Sequence, residues 1–143
     1  MDFGLLGTAL VMGIAATGSA IGIGVAGQAA IGAWKKCYMV NKVAPFILTV
    51  FAGAPLTQTI YGFLLMQQMK GAIGTVDPAF LLGLGISAGV AMALSAVAQG
   101  KAGASGADAL AETGKGFSQY ITVVGLCETV ALFALVFSMV ALG

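Results

Sequence analysis

Four long apolar stretches divide this chain, over about residues 3–33, 43–69, 79–105 and 118–142. Each holds the roughly 20 apolar residues that cross a ~30 Å hydrocarbon core. A backbone in lipid must satisfy its own polar groups, so each stretch is predicted to be a helix. Met1-Asp2-Phe3 offers no basic n-region, and the first run is too long for a signal peptide, so it reads as a retained helix. Pro45 suits the first turn of the second helix, and Asp77-Pro78 makes a turn before the third.

The pattern repeats. Leu56-Thr57-Gln58-Thr59 through Met69 matches Leu126-Cys127-Glu128-Thr129 through Met139 at a constant shift, with Leu, Thr, Phe, Leu and Met in register. The first and third stretches share small residues more than identities. The expected fold class is therefore an all-α membrane protein of four transmembrane helices, built as two duplicated helical hairpins over residues 1–72 and 73–143. The alignment sets Gln58 against Glu128, so the two halves share a shape and differ in charge.

Composition sharpens this picture. Of 143 residues 59% are hydrophobic and 8% charged, and mean hydropathy is +1.04. Soluble domains carry roughly 25% charged residues, so a soluble enzyme is excluded. Disorder, which needs low hydrophobicity and high charge, is excluded too. A net charge of +1 offers no basic field for nucleic acid. The chain has no histidine, which removes the commonest metal ligand and general base. Cys37 and Cys127 are too few for a thiolate metal site and are expected to be free thiols at different membrane depths.

The charges set topology. Lys35, Lys36 and Lys42 are expected between helices one and two, and Lys101 and Lys115, with Asp108 and Glu112, between three and four. Only Lys70, with Asp77, falls between two and three. The positive-inside rule puts the first and third loops in the cytoplasm and both termini outside, in a multi-pass protein of the cell membrane.

Two glycine motifs look like nucleotide sites and are not read as such. Gly22-Ile23-Gly24-Val25-Ala26-Gly27 fits GxGxxG, but it lies in an apolar helix with no preceding strand. Gly18, Gly22 and Ala26, like Gly85, Gly89 and Ala93, recur at spacing four, which lets helix backbones approach closely in lipid. Ala109 stands where a phosphate-binding loop ending at Gly114-Lys115 needs glycine. The chain is not expected to hydrolyse ATP itself, nor to hold an organic cofactor.

The candidate chemistry lies in the second and fourth helices. Pro55 removes a backbone donor, freeing carbonyls around Phe51 to Ala54 and kinking the helix. Ala54, Thr57, Gln58 and Tyr61 fall at i, i+3, i+4 and i+7, one helix face carrying a carbonyl, a hydroxyl, an amide and a phenol. Gln58 alone would pass as interhelical glue; four oxygen-bearing groups on one stripe look like a site. Glu128 is the only acidic residue deep within a span, where a charge costs about 2.5–3.5 kcal/mol. No lysine lies at its depth, so its partner is a proton, a mobile cation or a basic residue of another protein. Gln99 adds a further oxygen. One carboxylate among neutral oxygens is a hard cage that favours Na⁺, with H⁺ as the alternative.

The segments Ala54-Pro55-Leu56-Thr57-Gln58-Thr59-Ile60-Tyr61-Gly62, Ala98-Gln99-Gly100-Lys101 and Cys127-Glu128-Thr129 together resemble the ring-forming proteolipid of vacuolar-type and archaeal-type rotary ATPases, in particular the sodium-pumping bacterial branch. The resemblance covers nearly the whole chain. It implies a ring of identical subunits among lipids, turning against a stator membrane subunit that supplies an arginine, with a central-stalk subunit at the cytoplasmic loops. It further implies that Glu128 binds the ion, that Gln99, Thr57 and Gln58 coordinate it, that Ala54 contributes its carbonyl, and that Tyr61 hydrogen-bonds Glu128. One carboxylate per four helices means few ions per turn, which favours pumping over synthesis. The competing class is a stand-alone four-helix cation or drug:proton antiporter, which needs aromatic walls for bulky cations.

Overall fold

The computed structural model describes residues 2–143. Helix α1 runs Phe3–Met39, α2 Leu48–Gly53, α3 Thr57–Gly71, α4 Pro78–Thr113 and α5 Phe117–Leu142, and a 3-10 turn, Ala54–Leu56, joins α2 to α3. Among the described residues, four helical segments are long and apolar enough to cross a membrane: α1, the broken segment Leu48–Gly71, α4 and α5. They form two helical hairpins, α1 with α2–α3 and α4 with α5, as the period and length of the apolar runs imply. Cys37 and Cys127 are free thiols.

Helix ends follow local chemistry. Asp2 caps α1 by accepting the Leu5 N–H at 3.1 Å. Asp77 caps α4 by accepting from Ala79 and Phe80, with Pro78 in the first turn, where its missing N–H is harmless. Gly114 closes α4 at φ 67° and Gly116 opens α5 at φ 90°, left-handed values that residues with a Cβ avoid.

Several boundaries differ from expectation. α1 continues to Met39 and α4 to Thr113, so Lys35 and Lys36 lie in α1, and Asp108 and Glu112 in α4, rather than in loops; Lys101 falls inside α4, within the expected stretch, and not between the helices. The 37 residues of α1 make about 55 Å of helix at 1.5 Å per residue, far more than a ~30 Å hydrocarbon core needs. Nothing requires a helix to stop at the membrane surface, because its backbone bonds are internal. The Ala-rich tract around Ala102, Ala104, Ala107, Ala109 and Ala111 favours its continuation. The two overhangs are tied together. Lys36 Nζ bonds Asp108 at 2.9 Å and Glu112 at 3.3 Å, while Lys42 Nζ donates to the Ala111 and Glu112 carbonyls at the end of α4. Pro45 lies before α2 and not in its first turn. Its carbonyl accepts from Trp34 Nε1 at 2.7 Å and from the Leu48 N–H at 3.4 Å.

α1 and α4 run parallel and form the central pair. Glycine lets them touch backbone to backbone: a Cβ at Gly7, Gly18, Gly22, Gly85 or Gly100 would strike the facing helix. Gly85 lies on Gly7 and Gly100 on Gly22, so the two helices keep one register across four turns. The GxGxxG stretch is thus packing surface inside α1, with Gly22 in the crossing and Gly24 and Gly27 facing open space. The broken second segment runs antiparallel to α1, with Gly62 against Ala15 and Pro55 against Gly22.

The core is in two parts. One apolar cluster gathers Val11, Ala15, Leu65, Met69, Leu81, Met92, Ala131 and Leu135. The other gathers Ala30, Ala33, Cys37, Leu48, Phe51, Ala107, Leu110 and Val124. Every crossing segment passes between them through a polar layer that buries Ser19, Gln58, Ser95 and Gln99. Glu128 lies at the same level on α5, between Val124 and Ala131.

Candidate functional site

The break in the second segment builds one wall of this layer. Pro55 cannot donate to Phe51, and the chain tightens to a 3-10 turn over Ala54–Leu56 before resuming as α3. The turn leaves the Ala54 carbonyl facing Thr57, which donates to it from both its N–H and its hydroxyl, the latter at 3.1 Å. Thr57 Oγ1 also lies 3.2 Å from Gln58 Oε1. The stripe of Ala54, Thr57, Gln58 and Tyr61 therefore exists, although it spans a 3-10 turn and an α-helix rather than one continuous helix.

Gln99 on α4 supplies the centre. Its Nε2 donates to the Val124 carbonyl at 3.1 Å and to Glu128 Oε2 at 3.2 Å. Both amide hydrogens are thereby used on α5. The reversed amide would set its oxygen against a carbonyl and a carboxylate, so Gln99 Oε1 is turned toward α3. There it accepts from Gln58 Nε2 at 2.8 Å. From the other side, the Tyr61 hydroxyl donates to Glu128 Oε1 at 2.5 Å. Ala54, Thr57, Gln58, Gln99, Glu128 and Tyr61 thus form one hydrogen-bonded chain across α3, α4 and α5. Gln58 does not reach Glu128 directly. Gln99 stands between the two, and Glu128 is held by Gln99 and Tyr61.

Glu128 is half buried on the flank of α5, beside the exposed Leu126 and Val130. Among the described residues the ion pairs are those of Lys36 with Asp108 and Glu112, and none reaches Glu128. Nor do the described residues hold a group of three or more His, Cys, Asp and Glu side chains able to bind a metal. The side chains bonded to Glu128 are a neutral phenol and a neutral amide.

Ser95 belongs to this layer and is missed by sequence reasoning. Its hydroxyl donates to the Cys127 carbonyl at 2.7 Å and lies 3.4 Å from Gln58 Nε2. The available signal was its position one helical turn before Gln99, on the same face of α4.

Comparison with known proteins bears on this geometry. Residues 82–141 match the family of the ATP synthase C subunit. That match holds Ser95, Gln99 and Glu128 in one segment. The A-type ATP synthase subunit K of Methanocaldococcus jannaschii is 37% identical to this chain over 139 residues, 97% of its length. The chain spans 61% of that relative's own length.

Proposed function

We propose that this chain is the rotor-ring proteolipid of an A/V-type rotary ATPase, and that Glu128 carries an ion around the ring. The observation that carries the reading is a single membrane-depth carboxylate, Glu128, fixed by Tyr61 and Gln99 with no basic group of its own chain beside it. The likeness to the ATP synthase C-subunit family and to an archaeal relative from an A-type ATP synthase supports it. The chain is non-catalytic on its own. It contains neither a phosphate-binding loop nor a histidine, and ATP hydrolysis belongs to other subunits.

The cycle follows from the cost of charge. An occupied Glu128 is neutral and passes lipid; an empty one is a carboxylate in hydrocarbon, at about 2.5–3.5 kcal/mol on the insertion scale. Rotation past lipid therefore requires loading. Unloading requires a cation on a stator to receive the carboxylate, and this chain has no arginine to offer. Tyr61 holds the Glu128 rotamer from α3, and Gln99 holds it from α4. The ion is Na⁺, with Glu128 Oε, Gln99 Oε1, Gln58 Oε1, Thr57 Oγ1 and the Ala54 carbonyl as its oxygens. Five oxygens exceed what a proton needs. Gln58 Nε2 gives up Gln99 Oε1 when the ion enters.

Identical copies close the ring. Gly13, Gly24, Gly27 and Gly32 leave parts of α1 thin and open, with nothing within 4 Å, which suits close approach of neighbours. Lipids cover the apolar flank of α5, where Val123, Leu126, Val130 and Phe133 are exposed. The end of the bundle that carries Lys35, Lys36, Lys42, Lys101 and Lys115 faces the cytoplasm and a central stalk, and low gearing favours pumping.

The test is carbodiimide labelling of Glu128 in native membranes near neutral pH. The reagent attacks a protonated carboxyl, so Na⁺ at low millimolar levels is expected to protect. Protection by raised pH alone would replace Na⁺ with H⁺. A native gel then separates ring from antiporter: a large homo-oligomer supports the rotor, and a dimer rejects it.

A further inference from the structure

Ser19 stands apart from every other polar group in the layer. It is 2% exposed, and its hydroxyl is the one buried side-chain polar atom among the described residues without a hydrogen-bond partner. Buried hydroxyls without partners are costly, and native structures hold few of them.

Register says what it is near. On α1, Ala15 packs against Gly62 and Gly22 against Pro55. Ala15, Ser19 and Gly22 share one face of α1, and α3 runs antiparallel to it. Ser19, between those two contacts, is therefore level with Gln58, which lies between Pro55 and Gly62. The parallel partner gives the same depth. Gly18 lies on Ala93 and Gly22 on Ala96, so Ser19 stands level with the turn of α4 that carries Ser95. Ser19, Gln58 and Ser95 are all buried where α1, α3 and α4 meet.

The amide of Gln58 has a reason to need such a neighbour. Its Nε2 has two hydrogens. One meets Gln99 Oε1 at 2.8 Å; the other has only Ser95 Oγ, at 3.4 Å. If a cation takes Gln99 Oε1, the stronger of these bonds is lost and a buried N–H is orphaned. We propose that Ser19 is a positioning residue of the Glu128 site: its hydroxyl oxygen accepts the Gln58 N–H that an entering cation displaces from Gln99. Ser19 then donates its own proton to a carbonyl of α1 one turn earlier, a bond open to any helical serine. Its hydroxyl, buried and unpartnered, is the acceptor that the cation-bound arrangement uses. This rests on the reading of Gln99 and Gln58 as cation ligands.

The experiment measures the Na⁺ concentration that half-protects Glu128 from carbodiimide, in membranes carrying the full chain. Ser19→Ala is expected to raise it about tenfold, the effect of leaving one buried N–H unpaired in the loaded state only. With Gln58→Ala already present, Ser19→Ala is expected to add less than about twofold, because there is no amide left to position. Ser19→Cys keeps the side-chain shape with a somewhat larger terminal atom but offers sulfur, a weak acceptor, and is expected to weaken protection as well; it carries the test if the alanine variant does not assemble. An unchanged half-protecting concentration, or the same factor with and without Gln58, would overturn the proposal while leaving the site reading intact. Absence of Na⁺ protection in the unmodified protein would overturn the site reading and this proposal with it.

Discussion

The Tyr61 hydroxyl donates to Glu128 Oε1 at 2.5 Å and joins the broken second segment to α5. These two residues are 67 positions apart in sequence, one in each hairpin. The bond makes the conformation of a lone carboxylate depend on both halves of the duplication.

Tyr61→Phe removes that bond and keeps the ring's volume. Hydrogen bonds to charged groups contribute about 1.5–3 kcal/mol. Faster carbodiimide labelling of Glu128 and roughly tenfold weaker cation protection are expected, with the protein still assembled on a native gel. Unchanged labelling kinetics would show that Glu128 is held by Gln99 alone.

Glu128→Gln keeps the shape of the side chain and removes the charge. Ion-coupled transport and carbodiimide incorporation are expected to vanish, while the amount of protein in the membrane stays the same. Residual incorporation above background would mean that another carboxyl reacts.

Gln99→Ala affects more than affinity. It strips the Val124 carbonyl, Glu128 Oε2 and Gln58 Nε2 of a partner at once. Each buried group left unpaired costs about 1–3 kcal/mol. Thermal unfolding in detergent is expected to fall by several degrees, in contrast to Tyr61→Phe; an unchanged Tm would mean that water replaces the amide.

Gly100→Ala tests the crossing of α1 and α4. Its Cβ would meet the Gly22 backbone, so α1 and α4 must separate just where Gln99 faces α3 and α5. Loss of assembled protein is expected. Gly53→Ala, whose Cβ meets nothing within 4 Å, is the control and is expected to assemble normally.

Much of the site was open to sequence reading because its signals are local. Pro55 announces a break, and the i, i+3, i+4, i+7 spacing carries four oxygen-bearing groups onto one stripe. A carboxylate in a long apolar run needs a reason to be there. Gln99 and Glu128 were found as polar residues where polarity is costly. Ser19 and Ser95 were not, since a small hydroxyl in a helix is able to bond its own backbone, and nothing local shows that these two do not. The lengths of α1 and α4 were misjudged because hydropathy marks where lipid ends, whereas a helix ends where its own capping chemistry stops it.

The sequence by itself determined the number of crossing segments, their pairing into two hairpins, the point at which the second is broken, and the residue types available to an ion. Those depend on periodicity, span length and the chemistry of single residues, all of which are local. The tertiary structure decided which atoms meet. It placed Gln99 between Gln58 and Glu128, turned the Gln99 oxygen toward α3 through the Val124 carbonyl, and left Ser19 buried without a partner. Those outcomes depend on the register at which glycine faces let α1 and α4 pack, a relation between distant segments.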